Sequence, residues 1–176
     1  MDRIYVNAPE FLGKDREKTL WNYINDNTID LNLEYDSDFK SAKILRDIAH
    51  ICTKNLGMEE KWASRIILIC DELNNNAVEY GSLKGEKNYM RLKLQKTSKD
   101  FHISIEVEDT GHGSHAKKSA HMEQIRTEKL QNGFEKYHGI RGRGLFMIIT
   151  NLVDNLYFKD SSSGGLVVGI EKTITF

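Results

Sequence analysis

Proline is nearly missing from this chain: Pro9 is the one example in 176 residues. Rigid linkers are therefore few, and no internal repeat or low-complexity tract interrupts the sequence. Cysteine is almost as scarce. Cys52 and Cys70 both fall on apolar faces of predicted helices, which reads as two reduced core thiols rather than a disulfide or a metal site. No apolar run approaches the ~18 residues of a membrane span. The N-terminal Met1-Asp2-Arg3-Ile4-Tyr5 lacks the apolar stretch of a signal peptide, so a cytoplasmic location is the default expectation. A formal net charge of −1 supplies no global field to attract nucleic acid or an anionic membrane. Gly-x-x-x-x-Gly-Lys-[Ser/Thr] occurs nowhere, which excludes a P-loop nucleotide site.

What is present describes one folded domain. The length, with 39% hydrophobic and 29% charged residues, suits a single globular core. Residues 1–28 read as an extension. Asp15 can cap a short helix over about 15–25 with Leu20, Trp21 and Ile24 on its apolar side. Such a helix either docks on the domain or offers a partner or homodimer surface. Alternation predicts a short strand at 30–34. A helix capped by Asp36 or Ser37 follows, with Ala42, Leu45, Ala49, Cys52 and Leu56 on one stripe and Gly57 as its stop. A second helix is predicted over about 59–80. Its stripe is Trp62, Ile66, Ile69 or Cys70, Leu73, Ala77 and Tyr80, which leaves Glu72, Asn75, Asn76 and Glu79 off the buried side. Two alternating runs, 89–95 and 101–108, form an antiparallel hairpin. A polar segment over about 114–138 precedes a short helix opening at Gly144, and strands over 156–159 and 166–176 close the chain. Paired antiparallel strands with helices on one face predict an α/β (α+β) two-layer sandwich.

Three short motifs carry chemistry. Glu72 and Asn76 are four residues apart and share a helix face. A carboxylate can act as a base and an amide oxygen can ligate Mg²⁺, although a solvated polar face has the same pattern. Asp109-x-Gly111-x-Gly113 follows a strand, where a buried carboxylate could accept from an exocyclic amine such as that of adenine. Its glycines would admit a ligand close to the backbone, and an ordinary Asp-Gly turn is the competing reading. Gly111-x-Gly113-x-x-Ala116 mimics a dinucleotide fingerprint, but no βαβ unit follows. Gly142-x-Gly144-Leu145 opens a helix beside Arg141 and Arg143, a ready phosphate site if not simply a loop entering a core helix. The long segment between the second and third motifs suits a lid. Its histidines, His112, His115 and His121, are too irregularly spaced for zinc.

In this order the three motifs resemble the GHKL, or histidine-kinase-like, ATPase superfamily. They span residues 71–145, and the resemblance covers about 29–176. The Gly-Arg-Gly-Leu-Phe-Met-Ile-Ile run and the chain length are most similar to the bacterial anti-sigma serine/threonine kinases. That resemblance implies the Bergerat ATPase fold, ATP and Mg²⁺ as cofactors, and an ATP lid at about 114–138. It implies a sigma factor and a STAS-type anti-anti-sigma protein as partners, the latter phosphorylated on serine. It gives Glu72 the role of general base, Asn76 that of Mg²⁺ ligand and Asp109 that of adenine reader. Gly111 and Gly113 would shape the base pocket, and Arg141, Gly142, Arg143, Gly144 and Leu145 the phosphate loop. The chain differs from the family at Tyr80, where His is common, at Leu166 or Val167, where Thr is common, and at Ile140, where a basic residue occurs. A second reading follows from these differences: a non-catalytic, nucleotide-gated interaction module of the same fold.

Overall fold

Nine residues of strict alternation, β3 (Thr28–Asp36), organise the molecule by turning Ile29, Leu31, Leu33 and Tyr35 to one side. The computed structural model describes residues 3–13, 15–25, 27–132 and 152–176. β3 pairs antiparallel with β4 (Lys87–Lys96), and β4 with β5 (Asp100–Glu108). β5 then pairs antiparallel with β7 (Leu166–Thr175), and β7 with β6 (Asn155–Asp160). At the other edge β1 (Arg3–Tyr5) runs parallel to β3, and the two-residue β2 (Ile24–Asn25) pairs antiparallel with it. The sheet order is β1-β3-β4-β5-β7-β6.

One face of this sheet carries the core. Leu31, Leu33, Met90, Leu92, Ile105, Val107 and Ile170 meet Leu45, Ile48, Ile66, Ile69 and Leu73 from two helices, all buried. Those helices are α3 (Phe39–Asn55) and α4 (Glu60–Asn76), packed on each other. Cys52 and Cys70 lie in this layer as free thiols, and burial pushes the Cys52 thiol up to about 12. The opposite face is polar: Arg91 forks onto Asp30 at 3.0 and 2.9 Å, and Tyr157 donates to Glu106 at 2.8 Å. The architecture is the expected two-layer sandwich of a mostly antiparallel mixed sheet with helices on one face. Among the described residues no helix is long and apolar enough to cross a membrane.

Several local expectations are corrected. The cap of α3 is Asp38, whose Oδ1 accepts from Ser41 N at 2.7 Å. Asp36 is still in β3, holding Tyr5 and Lys87, and Ser37 N is drawn to Glu86 O at 2.8 Å. The first predicted helix is shorter than expected. α2 (Arg16–Trp21) ends where the chain must reverse into β2, Asp15 makes no side-chain cap bond, and Trp21 is 55% exposed. A preceding turn, α1 (Pro9–Leu12), was not expected. The described part of 1–28 belongs to the sheet and core: Tyr5 donates to Asp36 at 2.8 Å, and Ile4, Val6, Phe11 and Leu20 are buried. The segment read as a polar loop contains a helix, α5 (Ser119–Asn132), seated on β6 with Met122 buried. Apolar residues are too sparse in it to show a helical stripe.

Candidate functional site

The end of α4 brings the first motif together. Asn76 Nδ2 donates to Glu72 Oε1 at 3.1 Å, as i and i+4 spacing allows. The bond turns the amide so that its oxygen, a hard ligand, points elsewhere. Asn74, between them in sequence, faces inward instead, fully buried, with Nδ2 on Cys70 O and Met90 Sδ. Arg46 of α3 holds Asp71 at 3.1 Å, which fixes the helix against its neighbour. Beyond Asn76 the α-helix does not run on to Tyr80 as predicted. Ala77–Gly81 is a π turn, closed by Ser82 N on Ala77 O at 3.0 Å. This wider turn carries Gly81 toward the end of β5, and π insertions are frequent at functional sites.

Asp109 sits at that strand end, 8% exposed. Its Oδ1 accepts from Gly111 N and from Leu166 N, each at 2.9 Å. Both bonds come from backbone, so the Leu166 N–H orients the carboxylate without a side-chain donor. Burial raises the carboxyl pKa above its ordinary value, and the two N–H donors oppose that rise. Oδ2 is directed at Gly81, where a Cβ would lie 2.1 Å from it. Glycine is equally required at 165, where a Cβ would stand 1.8 Å from Asp109 O, and at 113, where it would stand 2.1 Å from Tyr80 O. Gly111 has φ +74°, and a Cβ there would lie 2.6 Å from Gly164 O. These absent side chains leave backbone and one carboxylate as the surface around Asp109.

The loop after Asp109 is fastened to the segment that follows the π turn. Gly113 N donates to Gly81 O at 3.0 Å, and Thr110 N to Ser82 Oγ at 2.9 Å. Thr110 Oγ1 donates to Glu86 Oε2 at 2.5 Å, and His112 Nδ1 lies 2.7 Å from Glu86 Oε1. The Thr110 hydroxyl, the Leu83 N–H and His112 together lower the Glu86 pKa from 4.5 to about 2. His115 packs edge-on to Tyr80, with ring centroids 6.2 Å apart. Lys118, just before α5, donates to Gly164 O at 2.6 Å, tying the start of that segment to the same turn.

The comparisons fit this geometry. The family model of the histidine kinase-like ATPase domain matches residues 36–172. The chain belongs to that family. Curated proteins contain no match to it.

As a histidine kinase-like ATPase domain, the chain has its first two motifs on one side of the fold, joined by the bonds from Gly81 and Ser82 to the Asp109 loop. The third motif, Arg141, Gly142, Arg143, Gly144 and Leu145, lies outside the described residues, as does the second half of the expected lid. The residues present suit a nucleotide. Asp109 Oδ2 is an acceptor in a cradle that a Cβ would fill, and Glu72 and Asn76 supply oxygen donors for a hard cation. Among the described residues no three His, Cys, Asp or Glu side chains gather as a metal-binding group. Sequence reasoning missed Gly81, Gly165, Ser82 and Glu86. Gly81 follows the helix predicted over about 59–80 and Gly164-Gly165 precedes a strand, so glycine at element ends was the available signal.

Proposed function

We propose that this chain is an ATP- and Mg²⁺-binding anti-sigma regulatory factor and protein serine/threonine kinase, acting in the bacterial cytoplasm. It sequesters a sigma factor and phosphorylates a serine of a STAS-type anti-anti-sigma partner. The observation that carries the reading is the Asn76–Glu72 hydrogen bond on a helix that ends against Asp109. Asn76 would hold Mg²⁺ through its amide oxygen. Glu72 accepts the partner serine's hydroxyl proton, and Asp109 holds the base amine. Mg²⁺-ATP supplies the phosphoryl group and the charge neutralisation that its transfer requires.

The cheapest test is thermal stability with and without Mg²⁺-ATP. Saturation at about 100 times Kd should stabilise a binder by about 2.7 kcal/mol. Labelled ATP with candidate STAS partners then reads the transfer. Nucleotide binding without transfer to any partner favours the non-catalytic module, for which Tyr80 in place of the usual His is the supporting observation. No thermal shift at all would sink both readings.

A further inference from the structure

The root of α5 is fastened to the turn that walls in Asp109. Lys118, the residue before the helix, is exposed, and its Nζ donates to Gly164 O at 2.6 Å. Next to it Ser119 N donates to Asp160 Oδ1 at 2.8 Å, and two turns further on Arg126 Nη1 donates to Leu156 O. All three acceptors lie on β6 or in the turn between β6 and β7. The hairpin therefore carries α5, and the place of Lys118 is set by that docking.

The turn that Lys118 holds is the one packed against Asp109. Gly164 has φ +98°, its carbonyl stands against Gly111, and Gly165 backs onto Asp109 O. Ser161 closes the turn twice, with its N–H on Gly165 O at 2.9 Å and its carbonyl accepting from Gly164 N at 3.0 Å. The charges around the buried carboxylate are otherwise acidic or neutral: Glu108 precedes it on β5, and Tyr35 faces it from β3. Burial raises the Asp109 pKa and the Glu108 charge adds to the rise, whereas the Leu166 and Gly111 N–H groups and the Lys118 charge oppose it. Asp160 shares the same cation.

At an exposed site an ammonium contact contributes little to folding, so its consequence is positional and electrostatic. We propose that Lys118 is a positioning residue of the nucleotide site: docking of α5 sets it on Gly164 O, where it braces the glycine turn behind Asp109 and places a positive charge against the carboxylate that accepts the base amine. It acts on the base through Gly164 and Asp109, not by contact. Nucleotide affinity is thereby tied to the seating of α5 on β6. This inference rests on the nucleotide reading of the preceding section.

The test is calorimetric titration of the full chain with ADP across a pH series, for wild type, Lys118→Arg, Lys118→Met and Lys118→Glu. Protonation of the ADP phosphates is common to all four and cancels in the ratio of each Kd to that of wild type. Lys118→Arg keeps donor and charge, and its ratio should stay within about twofold of one at every pH. Lys118→Met keeps the stem and loses both. Its Kd should rise at least threefold, and the ratio should climb as pH falls, because the carboxyl protonates sooner without the cation. Lys118→Glu should climb more steeply. The carboxyl carbon resonance of Asp109 in the unliganded proteins should titrate at higher pH in Lys118→Met than in wild type. A merely structural tether would lower the Tm and give a ratio that does not vary with pH. A flat ratio in Lys118→Met and Lys118→Glu, or an unmoved Asp109 titration, overturns the inference while ADP binding by wild type keeps the nucleotide reading. Wild type that binds no ADP at any pH overturns both.

Discussion

Gly81 and Asp109 meet where a side chain cannot: a Cβ on Gly81 would lie 2.1 Å from Asp109 Oδ2. The π turn that ends α4 and the strand end that carries the carboxylate are in contact through this gap. Asp109 cannot easily yield, because its Oδ1 is held by two backbone N–H groups at 2.9 Å.

Gly81→Ala should therefore displace the carboxylate. The expected loss is at least tenfold in nucleotide affinity, with destabilisation of about 1–3 kcal/mol, as for other overpacked sites. Gly13→Ala is the control, since its Cβ would find nothing nearer than 3.8 Å, and its stability should stay within about 0.5 kcal/mol of wild type. Calorimetry and chemical denaturation read the two effects; equal behaviour of the two variants would remove the steric argument.

Asp109 predicts opposite signs for stability and binding. Its pKa is raised in the folded chain, so its ionisation disfavours folding. That contribution is absent at low pH and sets in as pH rises through the folded pKa. The amine of a base requires the ionised form. Nucleotide affinity should thus fall as pH drops through that raised pKa. Asp109→Asn should raise the Tm of the unliganded protein. It should weaken nucleotide binding by roughly ten- to a hundredfold, the range of about 1.5–3 kcal/mol for a hydrogen bond to a charged group. A variant with wild-type affinity would dismiss Asp109 as the base reader.

Glu72→Gln separates chemistry from binding. Glutamine can still accept from Asn76 Nδ2, so the 3.1 Å pairing and the nucleotide affinity should survive. Loss of a general base lowers rates by about 10²–10⁴, and phosphoryl transfer to the partner serine should fall accordingly. Persistent transfer would mean that another group takes the proton.

Glu86 makes an acid-sensitive fastening. Its pKa lies near 2, below its ordinary 4.5, because the charged form accepts from Thr110, Leu83 N and His112. The stability it contributes is present above 4.5 and is lost as pH falls toward about 2. Between those limits the Tm of wild type should drop more steeply than that of Glu86→Gln, and amide exchange at Gly111 and Gly113 should accelerate. Parallel curves for the two proteins would show that the carboxylate charge does not hold the loop.

Much of this was legible beforehand, for a physical reason. Strand alternation and the 3–4 spacing of α3 report burial on one side, and both are local properties of the chain. Thus β4, β5 and the stripe Leu45, Ala49, Cys52 lie where periodicity put them. Local reading failed where tertiary demands prevailed. Asp36 looks like a helix cap, yet its oxygens serve Tyr5 and Lys87 across the sheet, and Asp38 caps instead. The helix over 59–80 looks continuous because a π turn changes hydrogen bonding without changing composition. α5 escaped because its apolar residues are sparse and its anchor, Ser119 N to Asp160 Oδ1 at 2.8 Å, comes from a distant strand.

The sequence by itself determined the layers and the pairing of Glu72 with Asn76, since neighbours on a helix are set by its pitch. It also placed Asp109 at the end of a strand, through the alternation that leads up to it. Only the tertiary structure decided what surrounds that carboxylate. Gly81 and Gly165 close on it from different elements, and Ser82, itself bonded to Asn88, holds the next residue through Thr110 N. A close approach between distant segments depends on side chains that are absent or buried, and these leave no periodic trace along the chain.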